Sequence, residues 1–96
     1  MLLKAGVDIS RLERNTRRGL GIAEAVFNEQ AEEIIVTSTY EGNHGGGSLH
    51  YADQAFDLRL VDHGQERMGV LLRDRLGIKF DVLVEGDHWH LEYDPD

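Results

Sequence analysis

Apolar residues recur at helical spacing near the start of the chain. They fall roughly on one face of a helix and comprise Leu12, Leu20, Ala23, Val26 and Phe27. Ser10 and Glu13 have the spacing of a capping box, so we expect the helix to begin near Ser10. Gly19 and Gly21 weaken the predicted helix in its middle because glycine has a low helix propensity.

A second amphipathic pattern runs from Gln65 to Leu76 and predicts another helix. Gly77 follows its last apolar position and suits the left-handed residue that ends many helices. The apolar stripe of this segment comprises Met68, Leu71, Leu72 and Leu76.

Four shorter segments predict strands, and they are residues 34–40, 55–61, 79–85 and 88–93. Gly86 and Asp87 join the last two segments with the composition of a tight hairpin turn. The order is helix, strand, strand, helix, strand, strand, without an internal repeat or linker. We therefore predict one α+β domain over residues 1–96, with an antiparallel or mixed sheet and helices packed on one side.

Alternate positions of the last predicted strand separate polar from apolar side chains. The polar set comprises His88, His90 and Glu92, and the apolar set comprises Trp89, Leu91 and Tyr93. Asp57 has a similar position between Phe56 and Leu58, which we expect to face the core. The pattern predicts a sheet with one apolar face and one polar face. The acidic end of the chain, from Glu92 to Asp96, is interpreted as a solvated tail.

Two stretches on these strands contain the residues most suited to chemistry, and they span residues 48–57 and 87–92. Together they supply a His, an Asp and a His, which is the ligand set of a catalytic zinc site. Three protein ligands leave the fourth corner of the zinc tetrahedron for water or substrate. The sequence therefore predicts a small metallohydrolase.

The spacing of these residues is specific: Ser48-x-His50 is followed after six residues by Asp57, and Asp87-x-x-His90 follows later, with His88 inside it. This pattern resembles the zinc D-Ala-D-Ala carboxypeptidase and L-alanyl-D-glutamate endopeptidase family, over roughly residues 34 to 93. Those bacterial and phage enzymes cut the peptide stems of the cell wall and share their fold with the hedgehog signalling domain. The resemblance implies one zinc ion bound by His50, Asp57 and His90, with Asp87 as general base.

Other residues of the two stretches have supporting roles in this hypothesis. His88 stabilises the tetrahedral oxyanion or orients Asp87, and Ser48 supports the loop that places His50. Tyr51 is a candidate for lining the cleft, and Glu85 is an alternative base. The remaining histidines, His44 in the Gly-rich loop and His63 before the second helix, are interpreted as a loop residue and a solvated residue.

The chain departs from the family pattern at two places. Asp53 occupies a position that is usually Gly, and residues 39–43 lack the Arg that commonly holds a substrate carboxylate. No Arg or Lys occurs from residue 41 to 54, although Arg59 has the same strand parity as Asp57. We therefore expect cleavage inside a wall peptide, as by an endopeptidase, over removal of a C-terminal D-Ala. The alternatives are a non-catalytic zinc-binding module for partner binding and a scaffold protein whose metal stabilises a small core.

Composition narrows the function classes further. The chain has 96 residues and no cysteine, so disulfides and thiolate metal sites are excluded. Its formal net charge of −8 argues against nucleic acid or an anionic membrane as the partner. No segment has the length of a membrane span or the features of a signal peptide. The sequence does not fix a location; action on the cell wall requires export or release by other means.

Overall fold

The computed structural model describes residues 1–39 and 54–95. It is a small α+β domain with two helices, α1 (Arg14–Glu29) and α2 (Gln65–Leu76). The bounds of α2 are those that the sequence predicted, and Gly77 follows it with a φ of 83°. Within the described ranges, neither helix has the length and apolar character needed to cross a membrane.

The predicted start of α1 at Ser10 is wrong, because Glu13 caps this helix itself. Its carboxylate accepts hydrogen bonds from the backbone N–H groups of Asn15 at 2.9 Å and Thr16 at 3.3 Å. Ser10 lies instead in a short 3-10 turn, Ile9–Arg11, where its N–H donates to Asp8 Oδ1 at 2.9 Å. The acceptor for the first-turn donors is therefore the long carboxylate at position 13 and not the hydroxyl at position 10.

Five strands form one mixed sheet in the order β1-β2-β3-β5-β4. Their bounds are β1 Leu2–Leu3, β2 Ile35–Ser38, β3 Ala55–Arg59, β4 Phe80–Glu85 and β5 His88–Tyr93. The short strand β1 pairs in parallel with β2, and the other neighbours are antiparallel. The mixed α+β sheet is confirmed, and β1 is an addition that the sequence did not predict. The turn at Gly86 and Asp87 joins β4 to β5 as expected.

Both helices cover the same face of the sheet. Trp89 and Leu91 of β5 are fully buried, and they alternate with the polar residues of that strand. The core also contains apolar side chains from both helices and from β2, β3 and β4. These are Leu20, Ala23, Val26, Phe27, Met68, Leu72, Leu76, Val36, Phe56, Leu58 and Val82. Burial on this face leaves the opposite face of the sheet for the polar set.

Gly19 is required where α1 crosses the sheet. A Cβ atom at this position would lie 2.3 Å from Cζ of Phe80, which is far inside van der Waals contact. Phe80 also packs on Tyr93, with ring centroids 5.4 Å apart, so moving its ring away from α1 would disturb this contact. Gly21 lies in the same helix, but a Cβ atom there would meet no neighbouring atom within 4 Å. The two glycines therefore have different roles in one helix.

We predict that Gly19→Ala lowers the free energy of unfolding by about 1–2 kcal/mol, because overpacking against Phe80 exceeds the gain in helix propensity. The matched change Gly21→Ala should raise it by roughly 0.5–1 kcal/mol, since only helix propensity changes. Urea denaturation of the two variants and the wild type measures both effects. Equal stabilisation by the two substitutions would show that α1 does not approach Phe80 as closely as described.

Candidate metal site

The polar face of the sheet is centred on β3 and β5. In the register of these strands Asp57 pairs directly with His90, Arg59 with His88, and Ala55 with Glu92. Directly paired residues of antiparallel strands project to the same side. The predicted grouping of His88, His90 and Glu92 on one face is therefore confirmed, and Asp57 joins them. Phe56 and Leu58, its neighbours along the chain, are fully buried on the other face.

Asp57 and His90 form the closest pair at this site. Oδ1 of Asp57 lies 3.0 Å from Nδ1 of His90. Asp57 is only 8% exposed, and the side chain of His90 is 12% exposed, so the pair is largely shielded from water. A buried carboxylate is costly unless hydrogen bonds or a cation compensate for lost hydration. This pair therefore needs a positive charge, which either a proton on His90 or a metal ion can provide.

Carboxylates lie beside both nitrogens of the His90 ring. Nε2 is 3.0 Å from Oε1 of Glu92, on the opposite edge of the ring from Asp57. In protein without metal, the hydrogen bond to Asp57 is the main cause that raises the pKa of His90 from 6.5 to about 9. Burial opposes this shift, and the hydrogen bond to Glu92 adds to it. An ionised carboxylate only accepts, so both ring nitrogens must donate and the imidazolium is favoured.

The same arrangement fits a zinc ion held by Asp57 and His90. Ligand atoms about 2.0–2.1 Å from tetrahedral zinc lie about 3.3 Å from each other, close to the 3.0 Å between Oδ1 and Nδ1. With zinc in place of the proton, Glu92 would still accept the Nε2–H of His90, and the lone pair of Nδ1 would be free for the metal. A carboxylate that holds the second nitrogen in this way is a recurrent partner of metal-binding histidines.

The third expected ligand, His50, lies outside the described residues, as do Ser48, Tyr51, His44 and Asp53. Within residues 1–39 and 54–95, no group of three or more His, Cys, Asp or Glu side chains has an arrangement suited to a metal ion. Asp57 and His90 are thus the two expected ligands whose geometry is defined.

His88 lies beside the pair and connects it to the hairpin turn. Its Nε2 is 3.5 Å from Oδ2 of Asp57 and 3.9 Å from Oε1 of Glu85. Its Nδ1 donates to Oδ1 of Asp87 at 3.1 Å, and this hydrogen bond is the main cause that lowers the pKa of Asp87. Asp87 lies in the turn with its side chain fully exposed, whereas Glu85 lies 3.7 Å from Nδ1 of His90. Besides Asp57, two carboxylates therefore lie beside His88, with Glu85 near Nε2 and Asp87 at Nδ1.

The remaining predicted positions have clear locations. Arg59 is exposed at the end of β3 and shares the polar face with His88. His63 is exposed before α2, as expected of a solvated residue. Glu92 was interpreted as the beginning of a solvated tail, and this is wrong: it is 7% exposed and contacts His90. Its strand parity with His90 was the signal that indicated its place at the site.

Comparison with known proteins adds no assignment: no family model, no curated protein and no solved structure matches this chain.

We predict that His90 titrates near pH 9 in protein stripped of metal. Because folding raises this pKa, the protonated ring stabilises the fold fully below about pH 6.5, and the stabilisation is lost as the pH rises through about 9. Asp57→Asn should return the midpoint toward 6.5, since it removes the main cause of the shift. NMR titration of the ring protons measures both values. A midpoint near 6.5 in the wild type would contradict the ring's contacts with the two carboxylates.

Proposed function

We propose that this protein is a zinc-dependent peptidase that hydrolyses an amide bond in the peptide stems of bacterial peptidoglycan. The observation that carries the proposal is the contact between Asp57 and His90, with the second ring nitrogen of His90 held by Glu92. The resemblance of the sequence motifs to zinc wall peptidases adds the third ligand, His50, and the substrate class. The hedgehog/DD-peptidase-like fold is part of the same proposal.

The charge of the site supports a resident dication. Four carboxylates project from the polar face or from its turn, and they belong to Asp57, Glu85, Asp87 and Glu92. Mutual repulsion of carboxylates in a partly buried site is unfavourable, and a divalent cation reduces it. Zinc, when bound, withdraws electron density from oxygen, which makes water more acidic and a carbonyl more electrophilic.

Asp87 is the proposed general base, and it accepts a hydrogen bond from His88. Asp87 accepts the proton of the attacking water as the oxygen–carbon bond forms, and it then donates that proton to the amine nitrogen as the amide bond breaks. His88 holds a fixed ring orientation because its Nδ1–H is donated to Asp87. Its Nε2 lies 3.5 Å from Oδ2 of Asp57, and when the ring is protonated on both nitrogens the Nε2–H is a donor for an oxyanion that develops on that side.

The proposed substrate is an extended peptide that is cut at an internal bond. An enzyme that removes a terminal residue must hold a free carboxylate, and a cationic side chain is the usual partner for that charge. Arg59 is exposed at the rim of the polar face and is available for this role. The motif region itself, residues 41–54, has no Arg or Lys, so we favour the endopeptidase over the carboxypeptidase.

The first test concerns metal. We expect one zinc ion per chain by elemental analysis, and we expect chelation to lower Tm and abolish the release of peptides from purified peptidoglycan. His90→Ala should lose both zinc and hydrolysis, because one ligand is removed. His63→Ala is the matched control and should retain both. Wild-type protein without stoichiometric zinc would refute the proposal, and zinc without hydrolysis would favour a non-catalytic zinc module.

The second test separates the two carboxylates that flank His88. Asp87→Asn should retain zinc and reduce turnover by roughly 10²-fold or more, the effect expected on loss of a general base. Glu85→Gln is the matched control, since it removes the same charge from the other side of His88, and its effect should be smaller. The measurements are zinc content and the rate of peptide release. The opposite ranking would assign the base to Glu85.

A further inference from the structure

The charges of this chain are strongly segregated. Residues 11–18 contain four arginines and one glutamate and have a net charge of +3. Because the net charge of the chain is −8, the remaining residues have a net charge of −11. Arg14, Arg17 and Arg18 of this segment have the spacing that places side chains on adjacent turns of one helix face. All three are exposed in the first turns of α1. We call these three residues the arginine face.

The arginine face is unfavourable for the stability of α1. Positive charges near the N-terminus of a helix oppose its dipole, and like charges three or four residues apart repel each other. Within residues 1–39 and 54–95, no carboxylate forms an ion pair with any of the three arginines. Glu13, the nearest acidic residue in sequence, hydrogen-bonds to Asn15 and Thr16. The helix itself therefore gives no reason for this concentration of charge.

The shape of the surface adds a second observation. Arg14, Arg17 and Arg18 line a concavity of about 620 Å³. Arg17 is fixed at its rim, because Nη2 donates to the carbonyl oxygen of Leu12 at 3.1 Å. Glu13 already accepts hydrogen bonds from the backbone N–H groups of Asn15 and Thr16, so the three arginine side chains supply the charged donors among the described residues of the concavity. Several guanidinium groups on one surface favour ligands with several phosphate oxygens.

We propose that the arginine face binds a flexible, single-chain polymer of linked phosphate groups. A flexible chain can enter a concavity, whereas a bilayer is flat and a nucleic acid duplex is rigid. The charge of −11 on the other residues also repels a large polyanionic surface, so contact must be confined to this segment. Binding here requires neither the metal nor the polar face of the sheet, and it is independent of the proposed peptidase activity.

Binding of long-chain inorganic polyphosphate to the intact protein tests the proposal. Three phosphate contacts predict a slope of about −2 for the logarithm of affinity against the logarithm of salt concentration, at roughly −0.7 per contact. Arg14→Gln and Arg18→Gln should each weaken binding and reduce the slope by about 0.7. Arg67→Gln changes the net charge equally from an exposed position on α2, and it should leave affinity and slope unchanged.

Three further ligands decide which chemistry is recognised. A single-stranded oligonucleotide that binds with the same dependence on Arg14 and Arg18 would support recognition of linked phosphates and identify nucleic acid as one source. Polyglutamate that binds as tightly as polyphosphate would overturn it, and so would a preference for vesicles containing anionic lipid. Equal losses in Arg18→Gln and Arg67→Gln, or no binding of polyphosphate, would also overturn it. The arginine variants should melt at or above the wild-type Tm, so a loss of binding is separable from unfolding.

Discussion

The buried charge of Asp57 is the constraint on which the polar half of this structure depends. Its neighbours Phe56 and Leu58 are fully buried on the helix side, so the strand cannot rotate to expose the carboxylate without disrupting the core. The charge must therefore be compensated where it lies. His90 occupies the directly paired position on β5, and Glu92 fixes the far edge of its ring. A proton on His90 provides this compensation in the protein without metal, and the proposed zinc ion would take its place.

Strand alternation makes the core and the candidate site mutually dependent. Trp89 and Leu91 pack under the helices, and this packing sets the heights and directions of His88 and His90 on the other face. A change in register by one residue would place the histidines in the core and the tryptophan in solvent. The geometry of the candidate site is thus set by apolar packing on the opposite face of the sheet.

The sequence predicted the parts of this structure that periodicity determines. The bounds of α2 and the alternation of polar and apolar residues on β5 follow from regular spacing of apolar residues, and both are confirmed. The start of α1 was wrong because Ser10 and Glu13 match a capping box, while the longer Glu13 side chain caps from a position closer to the helix. Strand β1 has only two residues, which is too few to show an alternating pattern of polar and apolar positions.

The candidate site was predictable only as a list of residue types. The motif spacing identified Asp57 and His90 as candidate ligands. It did not predict that Glu92 contacts the second ring nitrogen of His90. Glu92 sits within an acidic C-terminal segment whose composition is typical of a solvated tail, and that composition outweighed its parity with His90. The role of this charged side chain depends on which neighbour shares its face of the strand, and composition does not contain that information.

The position of β4 at the edge of the sheet has a consequence for solubility. Beyond β5, no other described strand covers β4, and Leu83 and Val84 are each about half exposed on it. Such an edge is a template for strand addition between molecules. The acidic residues Asp81 and Glu85 flank the two apolar ones and act as electrostatic gatekeepers, because stacked copies would bring like charges together. The acidic residues of β4 thus oppose edge-to-edge association of this strand in concentrated protein.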